Sequence, residues 1–314
     1  MRIVFMGSPD FAVASLRAVL DAPKDKEYQV VAVVTQPDKK SGRGQRLIPT
    51  PVKELAQSLH IPVLQPQKIN TPESVAQIRS FCPDLLVVVA FGQLLKQEIL
   101  DIAPLGVINV HASLLPFYRG AAPIHRAIMN GEGASGVTTM YIDLGMDSGD
   151  MIFKKKVAID PDENTGSLHD KLAKAGGELL LQTLNAIAQG NAPREAQNHQ
   201  MATYAPLLSK DDEIIDWNNF AQNLHNQIRG MNPLPGVYTY CNGKRLKIHK
   251  VKLTDGPVNG EEAGTVSKVD QEGICVNTGR GVLCLVSVQP EGKSKMTAAE
   301  FARGYRIVRG SRLG

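Results

Sequence analysis

Five apolar runs, Arg2–Met6, Val30–Thr35, Val63–Leu64, Leu85–Val89 and Val107–Val110, punctuate the first third of the chain, with helix-like segments between them. A run that is apolar at nearly every position suits a strand buried on both faces. Such strands alternating with helices specify a parallel sheet covered on both sides. The intervening helices are expected at Pro9–Leu20, Pro51–Leu59, Pro72–Arg79 and Lys96–Ile102. Thr50-Pro51 and Thr71-Pro72 each offer an N-cap hydroxyl followed by proline at the first helical position, where a backbone N–H has no intrahelical partner anyway. Two further strands, Gly136–Ile142 and Met151–Ile159, flank the segment "DLGMDSGD", and a helix over Ser167–Gln189 closes the pattern.

A chain of 314 residues is long for one domain, so two are expected. Residues 1–189 read as the α/β domain, 190–206 as a linker without periodicity, and 207–314 as a second domain. In the last, a helix at Phe220–Arg229 precedes short strands at Gly236–Tyr240, Arg245–Leu253, Gly264–Val269, Ile274–Asn277 and Val282–Val288. Asn-Gly in "YCNGKRL" marks a hairpin, and strands at this spacing suggest a small antiparallel barrel. Residues 207–314 carry 15 Lys and Arg against 11 Asp and Glu, whereas residues 1–206 are balanced at 20 each. The whole net charge of +4 therefore lies in the second domain, which suits a polyanionic partner. The four cysteines, Cys82, Cys241, Cys275 and Cys284, show no CxxC spacing and are read as small buried hydrophobes. No stretch approaches the length of a membrane span, and the N-terminal apolar run is too short for a secretory signal, so a cytoplasmic protein is expected.

The chemistry-bearing stretch is "INVHASLLPFYRG", Ile108 to Gly120. Asn109 and His111 stand two apart at a strand's end and so share one face. Ligands of open parallel sheets bind beyond the carboxyl ends of the strands. A carboxylate from the Gly-bearing loop "DLGMDSGD", Asp143 to Asp150, is placed to reach His111. Amide, imidazole and carboxylate together suit acyl transfer: the amide donates to an oxyanion, while the other two orient each other and move protons. No GxSxG elbow is present, so direct attack by a substrate amine is expected rather than a covalent enzyme intermediate. "MGSPDF" holds one glycine where a dinucleotide site shows three, which argues against NAD or FAD. The loop Thr35–Lys53 carries Lys39, Lys40, Arg43, Arg46 and Lys53, and reads either as a solvated segment or as a basic finger for phosphates. The histidines show no ligand spacing, and no metal is expected.

"NVHASLLPFYRGAAPI" followed at a distance by "DLGMDSGD" resembles the folate-dependent formyltransferases, and the "MGSPDF" start, the "TQPD…GRG" loop and the basic C-terminal part extend the likeness over essentially the whole chain. The resemblance implies a Rossmann-like formyltransferase domain joined to a small C-terminal β-barrel of the oligonucleotide-binding type. It implies transfer of a formyl group from 10-formyltetrahydrofolate, a cosubstrate, to the amino group of methionyl initiator tRNA. By motif match Asn109, His111 and Asp147 are the catalytic set. Ser113, Leu114, Leu115 and Pro116 line the folate site, and Arg43 meets the tRNA. A monomer without a membrane partner is expected. Relatives acting on a small amine, such as a sugar nucleotide or a purine precursor, share the central motifs but have no evident need of a basic second domain.

Overall fold

The computed structural model describes residues 1–23, 28–41, 46–254 and 261–314. β1 (Arg2–Gly7), α1 (Asp10–Leu20) and β2 (Gln29–Val34) are followed by a short antiparallel pair, β3 (Lys39–Ser41) and β4 (Arg46–Ile48). Next come α2 (Pro51–Ser58), β5 (Val63–Leu64), α3 (Pro72–Ser80), β6 (Leu85–Val89), α4 (Gln97–Leu100) and β7 (Val107–His111). β8 (Arg119–Gly120), α5 (Pro123–Met129), β9 (Ala134–Tyr141), β10 (Met151–Ala158) and the long α6 (Thr165–Ala188) follow. β11 (Tyr204–Ala205) precedes α7 (Ala221–Gly230), β12 (Val237–Cys241), β13 (Lys244–Thr254), β14 (Val266–Val269), β15 (Ile274–Asn277), β16 (Val282–Pro290), β17 (Met296–Thr297) and α8 (Ala298–Tyr305). Among the described residues, no helix is long and apolar enough to cross a membrane.

Contacts gather the chain into two compact units. The first holds residues 1–120, 135–158 and 169–205; the second holds 121–134, 159–168 and 206–314. The first unit is built on a seven-stranded sheet in the order β10-β9-β7-β6-β1-β2-β5. β5, β2, β1, β6 and β7 run parallel, and β9 is antiparallel to β7, so the sheet is mixed at one edge. Every residue of β6 is buried, as its unbroken apolar run requires. The proline-led helices start where their hydroxyls allow: Thr50 accepts from the Lys53 N–H and Thr71 from the Ser74 N–H. Gly7 lets α1 approach the sheet, since a Cβ there would stand 2.7 Å from the Ala12 Cβ and 2.8 Å from the Val89 carbonyl. Residues 190–205, read as a linker for want of periodicity, lie in this unit. Glu195 exchanges both backbone hydrogen bonds with Met151, and β11 pairs in parallel with β8.

The second unit is an antiparallel sheet in the order β12-β13-β16-β15-β14, with β17 added on β16. It encloses an apolar core that includes Trp217, Leu224, Ile248, Val276, Leu285 and Phe301. Asn242 and Gly243 make the β12–β13 turn with φ of 50° and 72°, the positive pair that a type I′ hairpin needs. The reading of all four cysteines as small buried hydrophobes is corrected here. Cys275 and Cys284 face each other in the β15–β16 register, with Cα atoms 3.9 Å apart, and form a disulfide. Cys241 is buried, whereas Cys82 is exposed in the turn after α3.

Arg126 on α5 and Asp212 join two distant parts of this unit by paired hydrogen bonds of 2.7 and 2.8 Å, and the same guanidinium donates to the carbonyls of Pro206 and Leu207. Its hydrogen bonds hold the Asp212 carboxyl below the usual carboxylate value, with smaller help from Ser209. A carboxyl depressed in this way stabilises the fold fully above its unfolded pKa of about 3.9, and that stability is lost as pH falls through the lower folded value. Arg126→Gln is expected to destabilise the protein by about 1.5–3 kcal/mol at neutral pH, the range for hydrogen bonds to charged groups. In urea unfolding followed from neutral pH downward, the gap between wild type and variant should narrow once the pH drops below that unfolded value. A gap that stayed constant would remove the ion pair as its source.

Candidate active site

β7 ends at the same edge of the sheet as its parallel neighbours β1, β2 and β6. Val88 of β6 stands opposite Asn109, and on the other flank His111 stands opposite Thr138 of β9. Asn109 is half-buried and His111 only 6% exposed. The His111 Nε2 lies 3.0 Å from the Tyr118 carbonyl. A carbonyl only accepts, so Nε2 carries a proton and Nδ1 is the ring atom free to exchange one. That Nδ1 is 3.7 Å from Oδ2 of Asp147, beyond hydrogen-bond distance. The other carboxylate oxygen, Oδ1, lies 3.5 Å from the Asn109 Nδ2. Asn109, His111 and Asp147, named from the sequence, are thus brought to one place.

Asp147 reaches that place through unusual backbone. Its φ is +49°, and its Oδ2 accepts a 2.8 Å hydrogen bond from the Gly120 N–H. Gly120 itself has φ +114°, and a Cβ there would stand 2.9 Å from the Ala205 carbonyl. Within the same loop, Asp143 Oδ1 accepts from the Gly145 N–H and the Ser148 hydroxyl. The Gln197 side-chain amide donates to the Asp147 carbonyl at 2.9 Å and to the Gly149 carbonyl at 2.8 Å. Behind it, Arg119, 3% exposed, donates through Nε and Nη2 to the Gln197 Oε1 and approaches the His199 Nδ1 at 3.2 Å. Arg119, Gly120 and Gln197 went unread in the sequence. Gly120 follows an arginine in a motif already singled out, which is a readable signal for special backbone; a lone glutamine in an aperiodic stretch is not.

The step from Ser113 to Pro116 is firmly built. The Ser113 hydroxyl donates to the Phe117 carbonyl at 2.6 Å, and the residue is 1% exposed. The buried Thr138 hydroxyl accepts from the Leu115 N–H and donates to the Ser113 carbonyl. Leu115 turns inward against Met140 and Met151, and Pro116 is buried; Leu114 is the half-buried member. On the Asp147 loop, Leu144 and Met146 are 70% and 53% exposed. Beyond the ends of β1, β2 and β6 lies a cleft of about 490 Å³, lined by Ser8, Pro9, Gln36, Pro37, Thr50 and Phe91 among others. That volume suits a small ligand or one end of a larger one. Arg43 lies outside the described residues. Among those described, no group of three or more His, Cys, Asp and Glu side chains could hold a metal ion.

Donor, imidazole and carboxylate meet at a parallel strand end, a combination whose chemistry suits acyl transfer. The chain belongs to the formyl transferase family: the family model described as formyl transferase matches residues 1–184, and that of the formyl transferase C-terminal domain matches 207–306. Relatives named methionyl-tRNA formyltransferase match it throughout. One from Geobacter sulfurreducens is 48% identical over 316 residues, covering 100% of this chain and 97% of that protein. Another, from Desulforamulus reducens, is 50% identical over 314 residues, covering 100% and 98%. Among solved structures the fold is similar to that of WlaRD, a sugar 3N-formyl transferase crystallised in the presence of dTDP and 5-N-formyl-THF. The TM-score is 0.67 at 20% identity, over 94% of this chain and 99% of that one.

Proposed function

We propose that this chain transfers the formyl group of 10-formyltetrahydrofolate to the amino group of methionyl initiator tRNA. The observation that carries the reading is the meeting of Asn109, His111 and Asp147 at one strand end, in a chain similar over its whole length to proteins of that name. The amine of an aminoacyl ester titrates below the roughly 7.7–8.0 of a free α-amino group, because the ester withdraws electrons. Near neutral pH it is largely uncharged and attacks the formyl carbon directly. The new C–N bond leaves a tetrahedral centre with an anionic oxygen and a cationic nitrogen. The Asn109 N–H donates to the oxygen. Asp147, with the His111 Nδ1 beside it, takes the proton from the nitrogen and delivers it to N10 of the folate as the old C–N bond breaks. Formyl-aminoacyl-tRNA and tetrahydrofolate are the products, and no electron pair is left over. The Ser113 hydroxyl, already donating to a carbonyl and buried, has no part in bond making.

The folate lies against the Ser113–Pro116 step and the exposed Leu144 and Met146 of the facing loop. Because Leu115 and Pro116 are buried, the step contributes its fixed backbone, and Leu114 is the side chain with surface to offer. The basic excess after residue 207 serves the tRNA phosphates.

Incubating the protein with charged initiator tRNA and a donor labelled in its formyl carbon tests the reading: label should appear on the esterified methionine. Label released as formate, or taken only by an amino-sugar nucleotide, would overturn it. Asn109→Ala should lower turnover by about 10²–10³, the usual loss for an oxyanion donor, and His111→Ala and Asp147→Ala by about 10²–10⁴, the range for a positioned acid or base, with the fold intact by circular dichroism. Near-normal turnover in Asn109→Ala would take that residue out of the site. Arg43 stands between Gly42 and Gly44 in the sequence, and its planar fork suits both phosphate and base. Arg43→Ala should reduce kcat/KM for initiator tRNA by about ten- to a hundredfold, one charge-assisted contact at 1.4 kcal/mol per factor of ten. Folate KM should hold, and Arg43→Lys should recover part of the loss. Unchanged kcat/KM in Arg43→Ala would make the loop a solvated connection.

A further inference from the structure

We infer that Gln197 is a positioning residue for the formyl-transfer step, acting through Asp147, and that the buried Arg119 sets its orientation. The inference rests on the reaction proposed above. Gln197 Nε2 donates to the carbonyls of Asp147 and Gly149, 2.9 and 2.8 Å away, which lie on either side of Ser148 in the loop that carries the carboxylate. Asp147 holds φ +49°, in a region that a residue with a Cβ occupies at a cost and keeps only when its surroundings fix it. The Gly120 N–H fixes the carboxylate end of the residue, and Gln197 fixes its carbonyl end. With both ends held, Oδ1 and Oδ2 stay aimed at Asn109 and His111.

A side-chain amide can turn over and exchange oxygen for nitrogen. Here only one orientation satisfies the neighbours. Arg119 offers N–H groups alone, 3.1 and 2.6 Å from Oε1, and the two loop carbonyls only accept. A guanidinium on one side and two carbonyls on the other therefore lock the amide. Arg119 is 3% exposed and directs its hydrogen bonds to uncharged acceptors, Gln197 Oε1 and His199 Nδ1. Burying a charge against neutral groups is poor economy for stability alone, and a carboxylate in place of the amide would be the simpler partner. The amide is what can face a cation and two carbonyls at once. Neighbouring backbone fastens the same brace to the catalytic strand end: Arg119 N–H donates to the Thr203 carbonyl, and Tyr118 N–H, whose carbonyl receives His111, donates to the Thr203 hydroxyl. Gln197 makes no contact with reacting atoms; it acts on where the carboxylate stands.

Gln197→Glu separates this role from a structural one. It keeps, and strengthens, the partner of Arg119, but it turns a second oxygen toward the two carbonyls and pushes the loop away. Formyl transfer from 10-formyltetrahydrofolate to methionyl initiator tRNA should fall about ten- to a hundredfold in kcat, as expected for an ångström-scale misplacement of a catalytic group. KM for both substrates should stay within about threefold. In an Asp147→Asn background the same change should cost less than about twofold, because the group it positions is already lost. Arg119→Lys, which frees the amide to turn over, should give a smaller kcat loss that Asp147→Asn also absorbs, and it provides the same reading if Gln197→Glu does not fold. Wild-type kcat in the single variants, or losses that multiply with that of Asp147→Asn, would overturn the assignment. If wild type itself formylates a different amine, the proposed function fails, yet the same cycle run on that amine still decides what Gln197 does.

Discussion

A carboxylate held in left-handed backbone is the constraint on which the site depends. Asp147 is not part of a strand or helix, so no ladder of hydrogen bonds sets its position. Its carboxylate is tied to the Gly120 N–H and its carbonyl to Gln197, each from a distant part of the sequence. Asn109 and His111, by contrast, are delivered by β7, where the ladders with β6 and β9 leave their positions little freedom. The geometry combines one rigid wall with one fastened loop. In the proposed reaction an ångström lost on the loop side is lost at the reacting centre, and reaction geometry is sensitive to such shifts.

How far the fold was legible follows from where its information lies. β6 is apolar at every position and needs burial on both faces, so it could be placed within a residue, as could the helices after Thr50 and Thr71 with their hydroxyl-proline starts. The Asn242-Gly243 turn was equally plain. α8 was missed although Thr297 and Glu300 form a capping box, a pattern readable in "TAAE". α5 is seven residues long, too short for periodicity to declare it. The disulfide between Cys275 and Cys284 depends on the register of β15 against β16, which no spacing in the sequence states.

The site shows the same division. Asn109 and His111 were readable because a strand's period of two puts them on one face. Leu115 was expected with its neighbours to line the folate site; the structure turns its side chain inward to Met140 and Met151, and the chain's apolar pattern cannot tell a ledge from a core contact. Residues 190–205 are the largest difference. They lack periodicity because they bind by backbone bridges at Glu195, β11 and single side chains, not by an apolar face, and so they read as a linker while bracing the site. Aperiodic sequence marks the absence of regular structure, not the absence of contacts.

The central claim is that the amide on the strand and the carboxylate on the loop serve one transition state. A double-mutant cycle on single-turnover formyl transfer, with both substrates saturating, measures this directly for Asn109→Ala and Asp147→Asn. Groups that act as a unit are strongly non-additive. The double variant should therefore be at most about tenfold slower than the slower single variant. A rate reduced by the full product of the two single losses would mean that strand and loop act independently, and would contradict the account.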